Sequence, residues 1–240
     1  MELNGKVAIV TGAGQGLGEA TAHALSEKGA LTICADIQLE KVQRVAAAIH
    51  ETGCASDSIQ FDVRNLESVE QAVQTVLDRY GRIDILVNCA GIDHTLPIEE
   101  LTIEQWDQVI DVNLRGPFLM AKYILPVMYA QQSGQIVNIA STAAKRTWAN
   151  ASAYHASKWG LVGLSHALHV EAREHNVRVS TVVPGGMRTP FILERFPDTD
   201  PANLQDPKSV AQTIVFVLSM PDESVIPEVM VLPLRETSWP

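Results

Sequence analysis

Lys6-Val7-Ala8-Ile9-Val10-Thr11-Gly12-Ala13-Gly14-Gln15-Gly16-Leu17-Gly18 decides how this chain folds. Its first six residues are a short apolar run rich in β-branched side chains, the pattern of a strand buried on both faces. A glycine-rich turn follows, after which Ala20, Ala24 and Leu25 recur at helical spacing until Gly29. The turn does not satisfy G-x-G-x-x-G, because Leu17 stands where the third glycine would fall. It reads G-x-x-x-G-x-G through Gly12, Gly16 and Gly18. The mechanics are the same: small residues let the backbone approach a pyrophosphate seated at a helix N-terminus. Gly12, Gln15, Gly16, Leu17 and Gly18 are therefore the candidate phosphate cradle of a dinucleotide.

Strand-like runs recur at Leu31–Asp36, Ser58–Val63, Ile83–Asn88, Gln135–Ser141, Val177–Val183 and near Val229–Leu232. Helical patterns separate them at Leu39–Glu51, Leu66–Tyr80, from Thr102, from Asn113 towards Gln132, at Ala153–Asn176 and at Ser209–Met220. After Pro184 an irregular stretch carries Pro190, Pro197, Pro201 and Pro207. This alternation predicts an α/β, doubly wound (Rossmann) fold: a mostly parallel seven-stranded sheet with helices on both faces, joined by right-handed crossovers. No linker, repeat or low-complexity segment interrupts it. Residues 1–240 are read as a single domain, 1–92 mainly the cofactor half and 93–240 the catalytic and substrate half.

Bulk properties narrow the function. The 240 residues are 46% hydrophobic and 19% charged, enough to bury a large core. A net charge of −10 argues against a nucleic-acid surface. No apolar run approaches the ~18 residues of a membrane span, and the start lacks the architecture of a secretory signal. Cys34, Cys54 and Cys89 show no C-x-x-C spacing and read as reduced thiols of a cytoplasmic protein. The seven histidines are scattered, so no metal site is expected.

Doubly wound sheets place ligands beyond the carboxyl ends of their strands, and the unusual residues cluster there. Asp36 closes the second strand eighteen residues after Gly18, where a carboxylate accepts hydrogen bonds from an adenosine ribose. It would repel a 2′-phosphate, and neither Gln15 nor Ile37 offers a cation to hold one. NAD rather than NADP is the predicted cofactor. Asp62 and Val63 at the third strand end, and Asn88, Ala90 and Gly91 at the fourth, suit the adenine edge and adjoining backbone. Tyr154 and Lys158 stand four apart, on one face of a helix. A phenol titrates near ~10, and an adjacent ammonium that lowers this by ~3 units supplies about 4 kcal/mol.

Taken together, TGAGQGLG at 11–18, NCAG at 88–91, Asn113, Ser141, YHASK at 154–158 and PGGMRT at 184–189 resemble the short-chain dehydrogenase/reductase family in its single-domain form. The resemblance covers essentially the whole chain. It implies that Tyr154 is the acid/base that gives a proton to a ketone oxygen or takes one from a secondary alcohol as hydride moves at the nicotinamide. It implies that Lys158 lowers the tyrosine pKa and binds the nicotinamide ribose, that Ser141 holds the substrate oxygen, and that Asn113 holds a water linking Lys158 to solvent. Pro184 and Gly185 resemble the segment that meets the nicotinamide, with Met187 and Thr189 near the carboxamide. Two departures stand out. Cys89 replaces a common second asparagine, which puts a sheet-stabilising hydrogen bond in question. The C-terminus runs Pro227-Glu228-Val229-Met230-Val231-Leu232-Pro233 instead of a strand followed by Asp-Gly-Gly, which puts the sheet edge in question.

Substrate choice should lie in the loops 92–98, 142–153 and 187–207, which offer His94, Trp148, Met187, Phe191 and Phe196, with Arg146 and Arg188 available to an anion. The uncharged stretch Tyr129–Gly134 offers no basic docking face for an acyl carrier, which argues against a 3-oxoacyl reductase. A non-catalytic NAD-binding regulator is the remaining alternative, disfavoured because a pure binder needs no base. The helices at 113–132 and 152–176 resemble those that pair subunits in this family, so a homotetramer or homodimer is expected.

Overall fold

The computed structural model describes residues 3–235. Seven strands run β1 (Val7–Thr11), β2 (Leu31–Asp36), β3 (Ser56–Gln60), β4 (Ile85–Asn88), β5 (Gly134–Ile139), β6 (Val177–Pro184) and β7 (Glu228–Val231). They form one sheet in the order β3-β2-β1-β4-β5-β6-β7, parallel throughout. The chain starts in the middle, winds outward to β3, then returns to β4 and winds the other way. The reversal between β1 and β4 opens a crevice at the carboxyl edge of the sheet.

Eight α-helices cover the sheet: α1 (Gly16–Glu27), α2 (Leu39–Glu51), α3 (Leu66–Tyr80), α4 (Ile103–Ile110), α5 (Gly116–Gln131), α6 (Ser152–Ala172), the short α7 (Pro190–Leu193) and α8 (Pro207–Leu218). Alternate residues of each strand serve opposite layers. Val7 and Ile9 pack with α3 and α5 residues such as Val73, Leu119 and Ile124. Ala8 and Val10 join Leu25 of α1, Val45 of α2 and Ile214 of α8. This is why the strands read as unbroken apolar runs. No helix among the described residues is long and apolar enough to cross a membrane.

Three of the differences from the sequence reading bear on the site. The third strand lies at Ser56–Gln60 rather than Ser58–Val63. The alternation of Ile59, Phe61 and Val63 reads as a strand, but its one partner among the described residues, β2, turns away after Asp36 pairs with Gln60, so Asp62 and Val63 lie in the loop beyond. The fifth strand stops at Ile139, and Ser141 instead caps a 3-10 turn at Thr142–Ala144. Between α4 and α5 the chain stays helical through a π-type turn, Asp111–Arg115. Pro117 explains it: having no N–H, it cannot serve the carbonyl of Asn113 four residues back. The expected cap at Thr102 is a full capping box, with Thr102 Oγ1 accepting from Gln105 N at 3.2 Å and Gln105 Oε1 from Thr102 N at 3.0 Å.

The unusual C-terminal segment still closes the sheet. Residues 228–231 pair with 181–184, and Gly185 N donates to Val231 O at 2.9 Å. Opposite Cys89, Thr11 Oγ1 accepts from the backbone N–H groups of Cys89 and Ala90 at 3.1 and 3.2 Å, so β1 and the end of β4 remain tied.

Candidate active site

The glycine turn is shaped by contacts that exclude any side chain. Gly12 has φ +67°, and a Cβ there would stand 2.8 Å from Ala90 Cα. A Cβ on Gly18 would stand 2.1 Å from the Gly12 carbonyl oxygen, so α1 sits directly on β1. Gln15, the N-cap of α1, makes no side-chain capping bond, which leaves the first-turn N–H groups open to an anion. A pyrophosphate fits this cradle.

Asp36 Oδ2 accepts from Gly14 N at 3.2 Å and Oδ1 from Gln38 N at 3.0 Å, which fixes the carboxylate at the rim of the turn. Two cations that the sequence reading passed over stand beside it. Lys41 Nζ donates to Gln15 Oε1 at 2.7 Å, and Arg44 Nη2 donates to Gly14 O at 3.0 Å. The signal was present: 41 and 44 share a face on the first turns of α2. The residues adjoining Asp36 do not announce these cations, because the approach of α2 to the turn is a tertiary fact.

A cleft of about 620 Å³ runs from this turn across the carboxyl edge of the sheet. It is lined by Gly12, Gln15, Gly16, Leu17, Gly18, Asp36, Ile37, Asp62, Val63, Ala90, Gly91, Pro184, Gly185, Met187 and Thr189, together with Ser141, Tyr154 and Lys158. Two predicted site residues do not line it. Asn88 is buried inside the sheet, its Nδ2 donating to Asn138 Oδ1 at 2.8 Å, and Asn138 donates on to Ser165 Oγ at 2.9 Å. The Asn88 side chain therefore stitches β4 to β5, which leaves its backbone at the strand end for the expected cofactor contact. Asn113 lies beneath the cleft floor, fully buried. Its Nδ2 donates to Ile92 O at 2.8 Å and Ser157 Oγ at 3.1 Å, and its Oδ1 accepts from Ile92 N at 2.8 Å. Asp62 lines the cleft, but Arg64 grips both its oxygens and holds the carboxyl below the usual range.

Tyr154 and Lys158 come from the first turns of α6, and both are buried. Lys158 Nζ donates to Ile139 O at 2.8 Å and stands 5.7 Å from the centroid of the Tyr154 ring. Burial pushes the ammonium down to about 8. Burial likewise pushes the phenol up to about 12, opposed by its hydrogen bond with the Ser141 hydroxyl. The spacing predicts a phenol lowered by Lys158. In the protein alone desolvation wins, because both groups are removed from water and the ammonium is engaged by a carbonyl.

Of the proposed substrate contacts, Trp148, Met187, Phe191, Phe196 and Arg146 line the cleft. His94 and Arg188 do not: His94 pairs with Gln108, and Arg188 bonds the Leu204 carbonyl and Asp206. Three residues that the sequence reading did not single out shape this end. His155 Nδ1 meets Ala143 O at 2.8 Å while Nε2 accepts from Trp148 N at 3.1 Å, pinning the loop over the site. Arg195 reaches back to Asp93, and its guanidinium lies 3.9 Å from the Phe191 ring centroid. The pair spans 102 residues of sequence, and no local pattern announces it.

A crevice binding site at a reversal of strand order, with a glycine cradle at one end and a serine, tyrosine and lysine at the other, defines a nucleotide-dependent oxidoreductase of the doubly wound class. The family model for short chain dehydrogenases matches residues 6–200, and the chain belongs to that family, whose members are NAD(P)-dependent dehydrogenases and reductases. It is 36% identical to a cyclohexanol dehydrogenase of Acinetobacter sp., covering 91% of this chain and 89% of that protein. It is 34% identical to a 3-oxoacyl-[acyl-carrier-protein] reductase of Thermotoga maritima, covering 93% and 94%. Among solved structures, a metagenomic short-chain oxidoreductase in complex with NADP superimposes with a TM-score of 0.86 at 35% identity, covering 96% of this chain and 98% of that one.

Proposed function

We propose that this chain interconverts a secondary alcohol and a ketone by hydride transfer, using NAD(H), with Tyr154 as the acid/base. One observation carries the reading: Ser141, Tyr154 and Lys158 line the same cleft as the glycine turn. The bound nicotinamide supplies or accepts the hydride. Ser141 fixes the substrate oxygen, and Tyr154 gives that oxygen its proton in reduction or removes it in oxidation. With a phenol at about 12, Tyr154 is protonated at neutral pH and ready to donate. Lys158, anchored on Ile139, holds the cofactor ribose and passes the proton on. The side chain of Asn113 is engaged by Ile92 and Ser157, so the water assigned to this residue is held by its carbonyl, which Pro117 cannot serve. The part of the chain before residue 93 supplies mainly the cofactor side of the cleft, and the part after it the catalytic and substrate side, with Pro184, Gly185, Met187 and Thr189 reaching back to the cofactor.

The preference for NAD rests on Asp36, a carboxylate held at the rim of the glycine turn that would repel a 2′-phosphate. A second reading has its own support: Lys41 and Arg44 stand at the same turn, and a similar oxidoreductase was solved with NADP. Steady-state rates with NAD and NADP, read from nicotinamide absorbance over a panel of secondary alcohols and their ketones, test both the chemistry and the cofactor. No turnover with either nucleotide overturns the assignment.

The subunit arrangement is proposed as a homotetramer or homodimer. Phe118 of α5 and Trp159 and Val170 of α6 are exposed apolar side chains on the two helices expected to pair. Light scattering giving a monomer mass overturns this.

A further inference from the structure

Asp93, two residues beyond the Gly91 backbone, is buried with only 6% of its side chain exposed. Its Oδ2 receives Arg195 Nη1 and, at 3.0 Å, Thr95 Oγ1. Its Oδ1 is buried and has no hydrogen-bond partner. A carboxylate oxygen shut away from solvent without a donor is costly, and such groups are rare in folded proteins unless a ligand serves them. Asp93 lines the cleft beside the catalytic end: Arg195, which holds it, packs on Phe191, and the Phe191 ring lies 5.8 Å from that of Tyr154. Arg195 and Thr95 both engage Oδ2, so Oδ1 is left as an acceptor without a donor. Arg146 Nε, on the loop after Ser141, is buried without a partner in the same cleft and offers a donor. Both atoms lie beneath the cleft wall, and a substrate hydroxyl satisfies either one once the side chain turns toward the cleft. A substrate carboxylate serves only Arg146 and faces the Asp93 charge.

We propose that Asp93 is a specificity-determining residue, and that Oδ1 accepts a hydrogen bond from a second hydroxyl on the substrate, making the preferred class a hydroxy-ketone and its diol. This deepens the proposed alcohol–ketone chemistry and rests on it. A site built to bond a hydroxyl rejects the analogue that lacks it, because the buried acceptor is then left bare.

The test uses the full chain loaded with nucleotide and a matched pair of probes, cyclohexanol and trans-1,2-cyclohexanediol. Dissociation constants come from calorimetry, and kcat/KM is measured in parallel. In the wild type the diol binds at least tenfold tighter; Asp93→Ala erases that ratio and, because it opens the same latch as Arg195→Met, weakens cyclohexanol to a similar degree. Arg195→Met, which breaks the latch and keeps the oxygen, weakens both alcohols and preserves their ratio. Thermal unfolding confirms that both variants fold. Equal or absent binding of the two probes to the wild type overturns the proposal, as does a ratio that survives in Asp93→Ala or collapses in Arg195→Met. Selective binding without turnover leaves Asp93 assigned and overturns the alcohol–ketone chemistry; turnover without selectivity does the reverse.

Discussion

Asn113 clamps Ile92 from both sides, accepting from its N–H and donating to its carbonyl at 2.8 Å each. The clamp holds the segment that follows β4 against the π turn, and through Ser157 it reaches the helix that carries Tyr154 and Lys158. Asn113→Ala would leave both part-buried backbone groups of Ile92, and the fully buried site of the amide itself, without partners. A loss of about 2–3 kcal/mol is expected, because each unsatisfied buried group costs about 1–3 kcal/mol. Thermal unfolding should fall by roughly 5–10 °C for a chain of this size. An unchanged midpoint would mean that the clamp carries no stability.

Tyr154→Phe removes the proton donor and leaves the ring packed against Phe191. Turnover should fall by about 10²–10⁴-fold, the usual contribution of a positioned acid/base. Nucleotide affinity, measured by fluorescence titration, should hardly change. Retention of most activity would remove Tyr154 from its role.

The direction of reaction should follow pH through the same phenol. Burial holds Tyr154 up to about 12, so it stays protonated across the neutral range. Ketone reduction, which needs the proton, should be flat from pH 6 to 8, whereas alcohol oxidation, which needs the phenolate, should climb as pH rises. Initial rates in both directions check this. Oxidation that declines with rising pH while the protein remains folded would contradict it.

Lys158 makes a stability prediction of opposite sign to a usual ion pair. Its folded value is lowered to about 8 from 10.5, so between those values the unfolded chain binds a proton that the folded chain does not. Stability therefore rises with pH from about 8 to about 10.5 on this account. Lys158→Met abolishes that contribution. Denaturant unfolding at pH 7.5 and pH 10 should show the wild type gaining about 2 kcal/mol relative to the variant. Parallel pH dependence in the two proteins would count against a buried neutral amine.

Cofactor choice separates Asp36 from Lys41. Asp36→Ala with Ile37→Arg should move kcat/KM towards NADP by at least tenfold, while Lys41→Ala should leave the NAD reaction within about twofold and weaken any NADP reaction. A preference unmoved by the double change would take Asp36 out of the decision.

Much of this was legible because it is local. An apolar run followed by glycines is a strand entering a phosphate turn whatever surrounds it, and Tyr154 and Lys158 share a helix face by spacing alone. The misreadings arose where a partner decided the matter. Ile59, Phe61 and Val63 alternate like a strand, but β2 departs after Asp36, whose carbonyl accepts the last bond, from Phe61 N at 3.1 Å. The Asn88 side chain, at a strand end facing the ligand edge, is engaged by Asn138, which stands opposite it in register.

The sequence by itself determined the elements, their alternation, the cradle and the identities of the candidate acid, base and serine, since periodicity and turn chemistry act over a few residues. Tertiary structure alone decided which side chains face the cleft, how far burial moves Tyr154 and Lys158, and that Lys41 meets Gln15 and Arg195 meets Asp93. Those outcomes depend on desolvation and on contacts between distant segments, and neither is written in local spacing.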